Sequence, residues 1–142
     1  MPIKPKQLKI VVIDDNLHLR TSLAAVLGDL GHVVQVGATA EEGLQLARDS
    51  QPDLVICDIA LQSEMNGYGV ARAMRLNTRL ATTFLVALSG NSSQEDRMRS
   101  ANAGFDRHVA KPAAIDDIQG LLDDAWLHKL RRTRPSVSAT NT

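Results

Sequence analysis

The sequence predicts an α/β fold in which five parallel strands form one doubly wound sheet with helices on both faces. Three observations lead to this prediction. Apolar, β-branched runs alternate five times with amphipathic stretches along the 142 residues. The strand-like runs are apolar throughout, which is typical of strands buried on both faces. The chain is 44% hydrophobic and 23% charged, enough for one core, and it contains no internal repeat.

The first two strand–helix units occupy the first third of the chain. Strands are predicted at residues 8–14 and 32–37, and helices at residues 16–31 and 39–50. The first helix has apolar residues at helical spacing and a glycine as its stop: Leu19, Leu23, Val26, Leu27, Leu30 and Gly31. The second begins with Thr39 as N-cap and has Glu42 three residues on, which is a capping box. Pro52 prevents its continuation.

The last three units repeat the pattern. Strands are predicted at residues 53–58, 83–89 and 106–111, and helices at residues 68–77, 93–104 and 114–130. Gly104 closes the fourth helix. The fifth helix carries one apolar face, formed by Ile115, Ile118, Leu121, Leu122, Ala125 and Trp126.

Composition excludes several classes of protein. No apolar run approaches the roughly 20 residues that a membrane span needs. The N-terminal extension, residues 1–7, is basic but lacks the apolar segment of a signal peptide. The single cysteine, Cys57, excludes an internal disulfide and a cysteine-based zinc site, and we expect it in the core. These features predict a cytoplasmic protein with no membrane contact.

The domain is predicted to span residues 8–130, and residues 131–142 are expected to form a basic and polar tail that is disordered in solution. The net charge is zero, but four basic and no acidic residues follow Asp124: Lys129, Arg131, Arg132 and Arg134. Because no aromatic residue accompanies them, we expect a solvated end and no direct DNA binding.

Polar side chains stand at the carboxyl ends of four predicted strands. They are Asp14 and Asp15 after the first strand, Asp58 after the third, Ser89 after the fourth and Lys111 after the fifth. In the strand order 2-1-3-4-5 these ends are neighbours, in the crevice where open α/β sheets bind ligands. Taken singly, each has an ordinary explanation as a solvated strand end or a turn residue. Their convergence favours a functional site.

The chemistry of this set is specific. Three carboxylates within a few ångströms raise one another's pKa unless a cation lies between them. Mg²⁺ (or Mn²⁺) prefers such oxygen ligands. A carboxylate beside the ion can attack phosphorus as a nucleophile. Lys111 and the Ser89 hydroxyl can then bind oxygens of the transferred phosphoryl group.

Four stretches, VVIDDN, LVICDIAL, VALSG and HVAKP, together resemble the receiver domain of two-component response regulators over about residues 8–128. The resemblance implies a flavodoxin-like (βα)5 receiver fold with Asp58 as the phosphoacceptor. It implies metal binding by Asp15, Asp58 and the Ala60 main-chain carbonyl, with Asp14 acting through water. It further implies the following roles: switch hydroxyl for Ser89, phosphoryl oxygen contact for Lys111, a cis bond before Pro112, and a place beside the attacking water for Asn91 and Ala60.

The chain departs from the family pattern at three places. His108 stands where the family usually has Tyr or Phe, so it is either a switch residue or a half-exposed histidine on an edge strand. The loop after Asp58 is one residue longer than is common, and Gln62 stands where proline is common. Only residues 131–142 follow the domain, too few for an output domain, and the starting Met and the tail favour a complete, stand-alone protein.

The resemblance implies a switch that takes a phosphoryl group from a histidine kinase or a histidine phosphotransfer protein. A downstream effector or a second copy of the chain is then the expected partner, and no turnover of an external substrate is expected. The alternative is a receiver-like interaction module that works without phosphorylation. A phosphohydrolase is disfavoured because Ala60 stands where those enzymes have a second Asp. A flavin-binding protein is disfavoured because DDNLHL is acidic, not rich in Ser, Thr and Gly.

Overall fold

A computed structural model describes residues 6–133. Five strands and five helices alternate along this part of the chain: β1 (Lys9–Ile13), α1 (Leu17–Asp29), β2 (Val33–Gly37), α2 (Ala40–Ser50), β3 (Leu54–Asp58), α3 (Gly67–Leu76), β4 (Phe84–Ser89), α4 (Gln94–Ala103), β5 (Arg107–Ala110) and α5 (Ile115–Thr133). All neighbouring strands pair in parallel, in the order β2-β1-β3-β4-β5. The predicted fold class and strand order are confirmed.

The central strands are buried on both faces, so alternate residues feed two separate apolar clusters. On β1, Val11 and Ile13 lie in one cluster, with side chains of α2, α3 and the end of α4. Ile10 and Val12 lie in the other, with side chains of α1 and α5. Three helices therefore cover one face of the sheet and two cover the other. This is the doubly wound arrangement that the continuous apolar strands predict.

Side-chain caps start the first four helices soon after the preceding strands. The Asn16 and Thr39 side chains accept hydrogen bonds from the N–H groups of Leu19 and Glu42, at 3.0 and 3.1 Å. The Thr39 cap is therefore confirmed. Glu42 accepts from the N–H of Ala38, one residue before the cap, at 2.9 Å. The reciprocal bond of the predicted capping box is thus shifted by one residue.

Helix α5 continues three residues beyond the predicted domain end at residue 130. Buried Asp53, just before β3, explains part of this extension. Its carboxylate lies 3.2 Å from Lys129 Nζ and 3.2 Å from Arg132 Nη2. It also accepts a hydrogen bond from the Lys9 N–H at 2.8 Å. Two charges assigned to a solvated end are therefore bound to the base of the sheet, while the expected tail beyond residue 133 lies outside the described residues.

On α1 and α5, fewer apolar residues are buried than the sequence predicts. On α1, Leu27 is fully buried, but Leu19 and Leu30 are 39% and 43% exposed. Only two helices cover this face of the sheet, so each keeps an open flank. On α5, Ile115 is 53% exposed and lies outside the apolar cluster that contains Ile118. Between residues 6 and 133, no helix combines the length and the apolar character that a membrane crossing requires.

Candidate functional site

Four strand ends meet at the carboxyl edge of the sheet, as the sequence predicts. Asp58 and Ser89 are the last residues of β3 and β4, and Asp14 follows β1 directly. One carboxylate oxygen each of Asp14, Asp15 and Asp58 lies within 4.8 Å of the others. Asp14 and Asp58 are almost fully buried, at 1% and 3% exposure, whereas Asp15 is exposed. The sheet thus presents a small acid pocket with one open side.

Lys111 joins two of these acids. Its Nζ lies 3.1 Å from Asp14 Oδ2 and 3.2 Å from Asp58 Oδ2. Burial by itself would lower the pKa of Lys111, but the hydrogen bonds and negative charges of the two carboxylates outweigh it and raise that pKa. Lys111 is therefore held as a cation between the ends of β1 and β3.

The pKa of Asp58 is raised as well. Burial of the carboxyl group is the largest cause, and the charge of Asp14 acts in the same direction. The Ala60 N–H and the Lys111 ammonium oppose this change, but burial prevails. An ion pair usually lowers the pKa of its acid, so Asp58 shows that removal from water exceeds the gain from Lys111 here. A second cation in the pocket would complete the compensation.

A backbone N–H group holds each of the three carboxylates. Asn16 N–H donates to Asp14 Oδ1 at 2.9 Å, and Ala60 N–H donates to Asp58 Oδ1 at 3.0 Å. Gln62 N–H donates to Asp15 Oδ2 at 2.9 Å. The loops after β1 and β3 therefore orient the acids. That the Ala60 carbonyl binds a metal stays a prediction.

The donor set fits a hard divalent cation. Three carboxylates and one ammonium leave the pocket with an excess of negative charge, and all candidate ligand atoms are oxygens. Mg²⁺ and Mn²⁺ accept such oxygens, and Mg²⁺ typically keeps several waters beside one or two carboxylates. The open side at Asp15 leaves room for those waters.

The Ser89 hydroxyl is engaged with its own loop. It donates to the Asn91 carbonyl and accepts from the Asn91 N–H at 3.1 Å. The Ser89 carbonyl accepts from the Lys111 N–H at 2.8 Å, which ties β4 to the end of β5. A movement of this hydroxyl toward Asp58 requires the bond to the Asn91 carbonyl to break. The switch role of Ser89 and the role of Asn91 stay predictions.

His108 lies on β5 between two serines. Its Nδ1 is 2.9 Å from Ser100 Oγ and its Nε2 is 3.3 Å from Ser92 Oγ. Ser100 Oγ also donates to the Arg97 carbonyl at 3.0 Å. Burial lowers the pKa of His108, as does the Arg97 charge, against the opposing effects of Asp96 and the Asn91 carbonyl. The imidazole thus links β5 to both α4 and the loop before it.

Two further expectations concern neighbours of the pocket. The Lys111–Pro112 peptide bond is cis, as the resemblance implies. Cys57 is fully buried in the apolar cluster opposite Asp58, and burial raises the pKa of its thiol. The core position expected for Cys57 is confirmed.

Gly67 is a residue of the site that the sequence reasoning missed. A Cβ at this position would lie 2.5 Å from the Asp58 carbonyl oxygen and 2.6 Å from Ile59 Cα. The Gly67 N–H donates to the Ile59 carbonyl at 3.0 Å. Helix α3 therefore begins against the backbone of Asp58, one residue before the predicted start. The Asn66-Gly67 pair is the sequence signal for this close approach.

An apolar cavity of about 210 Å³ lies beside the acid pocket, between α1 and α5. Leu19, Leu23, Val26 and Ile118 line it, and Asp14 and Lys111 form part of its wall. Partly exposed apolar surface thus adjoins the charged groups. A partner that binds this surface would reach the acid pocket.

Comparison with known proteins gives one consistent result. The family model described as the response regulator receiver domain matches residues 10–123. The chain is 30% identical over 135 residues to the probable transcriptional regulator ycf27 of Cyanophora paradoxa, covering 94% of this chain and 53% of that protein. It is 31% identical over 118 residues to the sensor histidine kinase AtsR of Burkholderia thailandensis, covering 82% of this chain and 19% of that kinase.

Among solved structures, the chemotaxis protein CheY4 of Vibrio cholerae shares the fold. It aligns with a TM-score of 0.78 at 23% identity and covers 84% of this chain and 98% of that one. The chain spans about half the length of the first curated relatives that it matches.

Proposed function

The chain belongs to the response regulator receiver domain family of two-component signalling, and from that premise we propose that Asp58 accepts a phosphoryl group with Mg²⁺ and thereby controls partner binding. The single observation that supports this best is the contact of Lys111 with both Asp14 and Asp58, at 3.1 and 3.2 Å. This contact supports the proposal because it brings the proposed nucleophile, a cation and a second buried acid together in one pocket.

The proposed step is a phosphoryl transfer from a phosphohistidine of a histidine kinase or a phosphotransfer protein. An oxygen of Asp58 forms a bond to phosphorus, the P–N bond breaks, and the electron pair returns to the imidazole nitrogen, which takes a proton from solvent. Mg²⁺, held by Asp15, Asp58 and the Ala60 carbonyl with Asp14 acting through water, would neutralise charge on the transferred group. Lys111 would bind a second phosphoryl oxygen.

Phosphorylation would then act through Ser89 and His108. A phosphoryl group on Asp58 adds acceptor oxygens that compete with the Asn91 carbonyl for the Ser89 hydroxyl. Release of Asn91 frees the loop that carries Ser92, and Ser92 contacts His108. The surface formed by α4, β5 and α5 would shift its population between two arrangements.

The proposed partners follow from the same surfaces. The apolar cavity between α1 and α5 adjoins Lys111 and suits the protein that brings the phosphohistidine. The proposed binding surface for an effector protein or a second copy of the chain is the one formed by α4, β5 and α5. We propose no direct DNA contact for the described domain and no turnover of an external substrate, since Asp58 is itself the acceptor. The stand-alone role and cytoplasmic location stay predictions.

The test is intact mass after incubation with acetyl phosphate, with and without Mg²⁺. We expect one added phosphoryl group on the wild type only when Mg²⁺ is present, and none on Asp58→Asn. Asp123→Asn, an exposed acid on α5, is the matched control and should label like the wild type. Equal labelling of Asp58→Asn and Asp123→Asn would refute the proposal.

A phosphorylation-independent interaction module is the second candidate. The observation that favours it is the double contact of His108 with Ser92 and Ser100, which holds α4 and β5 in one arrangement. This candidate predicts that a partner binds wild type and Asp58→Asn equally, with or without acetyl phosphate. A change in affinity on phosphorylation would reject it.

A further inference from the structure

We propose that the main-chain N–H of Gln62 positions Asp15 for the divalent cation, a role that a proline at residue 62 could not provide. The inference rests on the proposed function, because it concerns the same metal-binding acid. It assigns the loop after β3, residues 59–66, a part in metal affinity.

Asp15 needs such support more than the other two acids. Asp14 and Asp58 are nearly fully buried, and both contact Lys111. Asp15 is exposed, so its side chain loses rotamer freedom when it binds an ion. The hydrogen bond from Gln62 N–H to Asp15 Oδ2, at 2.9 Å, fixes that side chain in advance.

The contact depends on the main chain of residue 62 and not on its side chain. The Gln62 side chain is exposed, and the donor is the peptide nitrogen. Proline is common at this place in the receiver domains that the sequence resembles, and proline has no N–H to donate. Glutamine at residue 62 therefore provides one charge-assisted hydrogen bond, to the proposed metal ligand Asp15, that proline would lack.

The loop is held firmly enough to make this bond effective. At its end, the Gly67 N–H donates to the Ile59 carbonyl at 3.0 Å, which closes the loop at the base. Within it, the Ser63 hydroxyl donates to the Met65 carbonyl at 2.6 Å. Gln62 lies between Ile59 and Ser63, which both take part in these hydrogen bonds. The loop thus bridges from β3 to the acid that follows β1.

The decisive measurement is calorimetric titration of Mg²⁺ into wild type, Gln62→Ala and Gln62→Pro. Gln62→Ala keeps the N–H and should bind Mg²⁺ like the wild type. Gln62→Pro should bind about 5-fold more weakly, the size expected for the loss of one ordinary hydrogen bond, because solvent weakens the contact with the exposed Asp15 carboxylate. In the acetyl phosphate reaction, higher Mg²⁺ should restore the labelling rate of Gln62→Pro to that of Gln62→Ala.

Equal Mg²⁺ affinities of Gln62→Pro and Gln62→Ala would overturn this inference and leave the proposed function standing. No Mg²⁺ binding by the wild type would overturn both. A second measurement does not depend on the folding of Gln62→Pro. In the wild type, the Gln62 amide should exchange slowly with solvent, and Asp15→Ala should remove that protection while leaving the Ala60 amide protected. Fast exchange of the Gln62 amide in the wild type would equally overturn the inference.

Discussion

The ammonium group of Lys111 lies 3.2 Å from the Oδ2 atom of Asp58, although Asp58 ends β3 and Lys111 follows β5. The same ammonium contacts Asp14 at 3.1 Å. Lys111 thus neutralises part of the negative charge of two buried carboxylates. Without Lys111, a metal ion would have to neutralise that charge alone. We therefore expect the stability of the domain to depend both on Lys111 and on a bound divalent cation.

Replacement of Lys111 by Met should therefore destabilise the protein and increase its dependence on Mg²⁺. We expect a loss of about 2 kcal/mol in the free energy of unfolding without Mg²⁺, because two buried carboxylates then lack their cation. Added Mg²⁺ should restore more stability to Lys111→Met than to the wild type. Urea unfolding with and without Mg²⁺ measures both effects.

Lys129→Met is the matched control, because Lys129 contacts Asp53 at the opposite end of β3. Its stability should respond to Mg²⁺ as that of the wild type does. If Lys111→Met gains no more from Mg²⁺ than Lys129→Met, the assigned electrostatic role of Lys111 is wrong.

Gly67→Ala should be destabilising because the new Cβ would meet main-chain atoms of Asp58 and Ile59 at 2.5 and 2.6 Å. Backbone cannot yield as a flexible side chain can, so we expect a loss of about 2 kcal/mol in the free energy of unfolding. Phosphorylation of Asp58 should also slow. Denaturant unfolding and the rate of labelling by acetyl phosphate check the two effects.

Gly28→Ala provides the comparison for Gly67→Ala. Gly28 lies in α1, and an added Cβ there meets no atom within 4 Å. Alanine has the higher helix propensity, so this variant should gain about 0.5 kcal/mol. A Gly67→Ala protein as stable as Gly28→Ala would contradict the close packing of α3 against Asp58.

Much of this arrangement is readable from the sequence, because local chemistry and long-range pairing agree. The continuous apolar runs at β1, β3 and β4 require cover on both faces, and that requirement alone indicates a parallel sheet. Once the order of strands is known, the polar residues at their carboxyl ends must converge. Asp14, Asp15, Asp58 and Lys111 could thus be placed together without coordinates.

Contacts between residues that are distant in sequence could not be read in this way. The bond from Gln62 to Asp15 depends on the path of a loop, and periodicity carries no information about such paths. The contacts of Asp53 with Lys129 and Arg132 depend on where α5 ends in space, so the sequence placed that end three residues early. Partial exposure of Leu19 and Ile115 reflects how few helices share their face of the sheet.

His108 should be mainly neutral at pH 7. Burial and the Arg97 charge lower the pKa of the imidazole below its ordinary value of 6.5. Nitrogen chemical shifts of the ring, followed by NMR through a pH titration, give both the pKa and the tautomer. A midpoint above 6.5 would contradict the effects assigned to burial and to the Arg97 charge.

His32 should make the protein more stable above pH 6.5 than below it. Its Nδ1 accepts a hydrogen bond from the Leu8 N–H at 3.1 Å, so it must be unprotonated, and burial lowers the pKa of His32. The folded state therefore binds fewer protons than the unfolded state between the lowered pKa and 6.5. Its stabilising effect is complete above pH 6.5 and is lost as pH falls through the lowered value.

His32→Ala tests this directly, by urea unfolding at pH 7.5 and pH 5. We expect a loss of about 1 kcal/mol at pH 7.5, the size of one hydrogen bond, and a smaller loss at pH 5. A larger loss at the lower pH would reverse the sign and show that His32 is stabilising as a cation.

Because Cys57 is buried beside Asp58 on β3, the reactivity of its thiol can report the opening of that strand. The thiol is fully buried, its Sγ contacts the Asp58 carbonyl at 3.3 Å, and its raised pKa suppresses the reactive thiolate. Because the chain has a single cysteine, every alkylated molecule has exposed this one position. The rate at which a thiol reagent modifies the chain therefore measures how often the strand that carries Asp58 leaves the sheet.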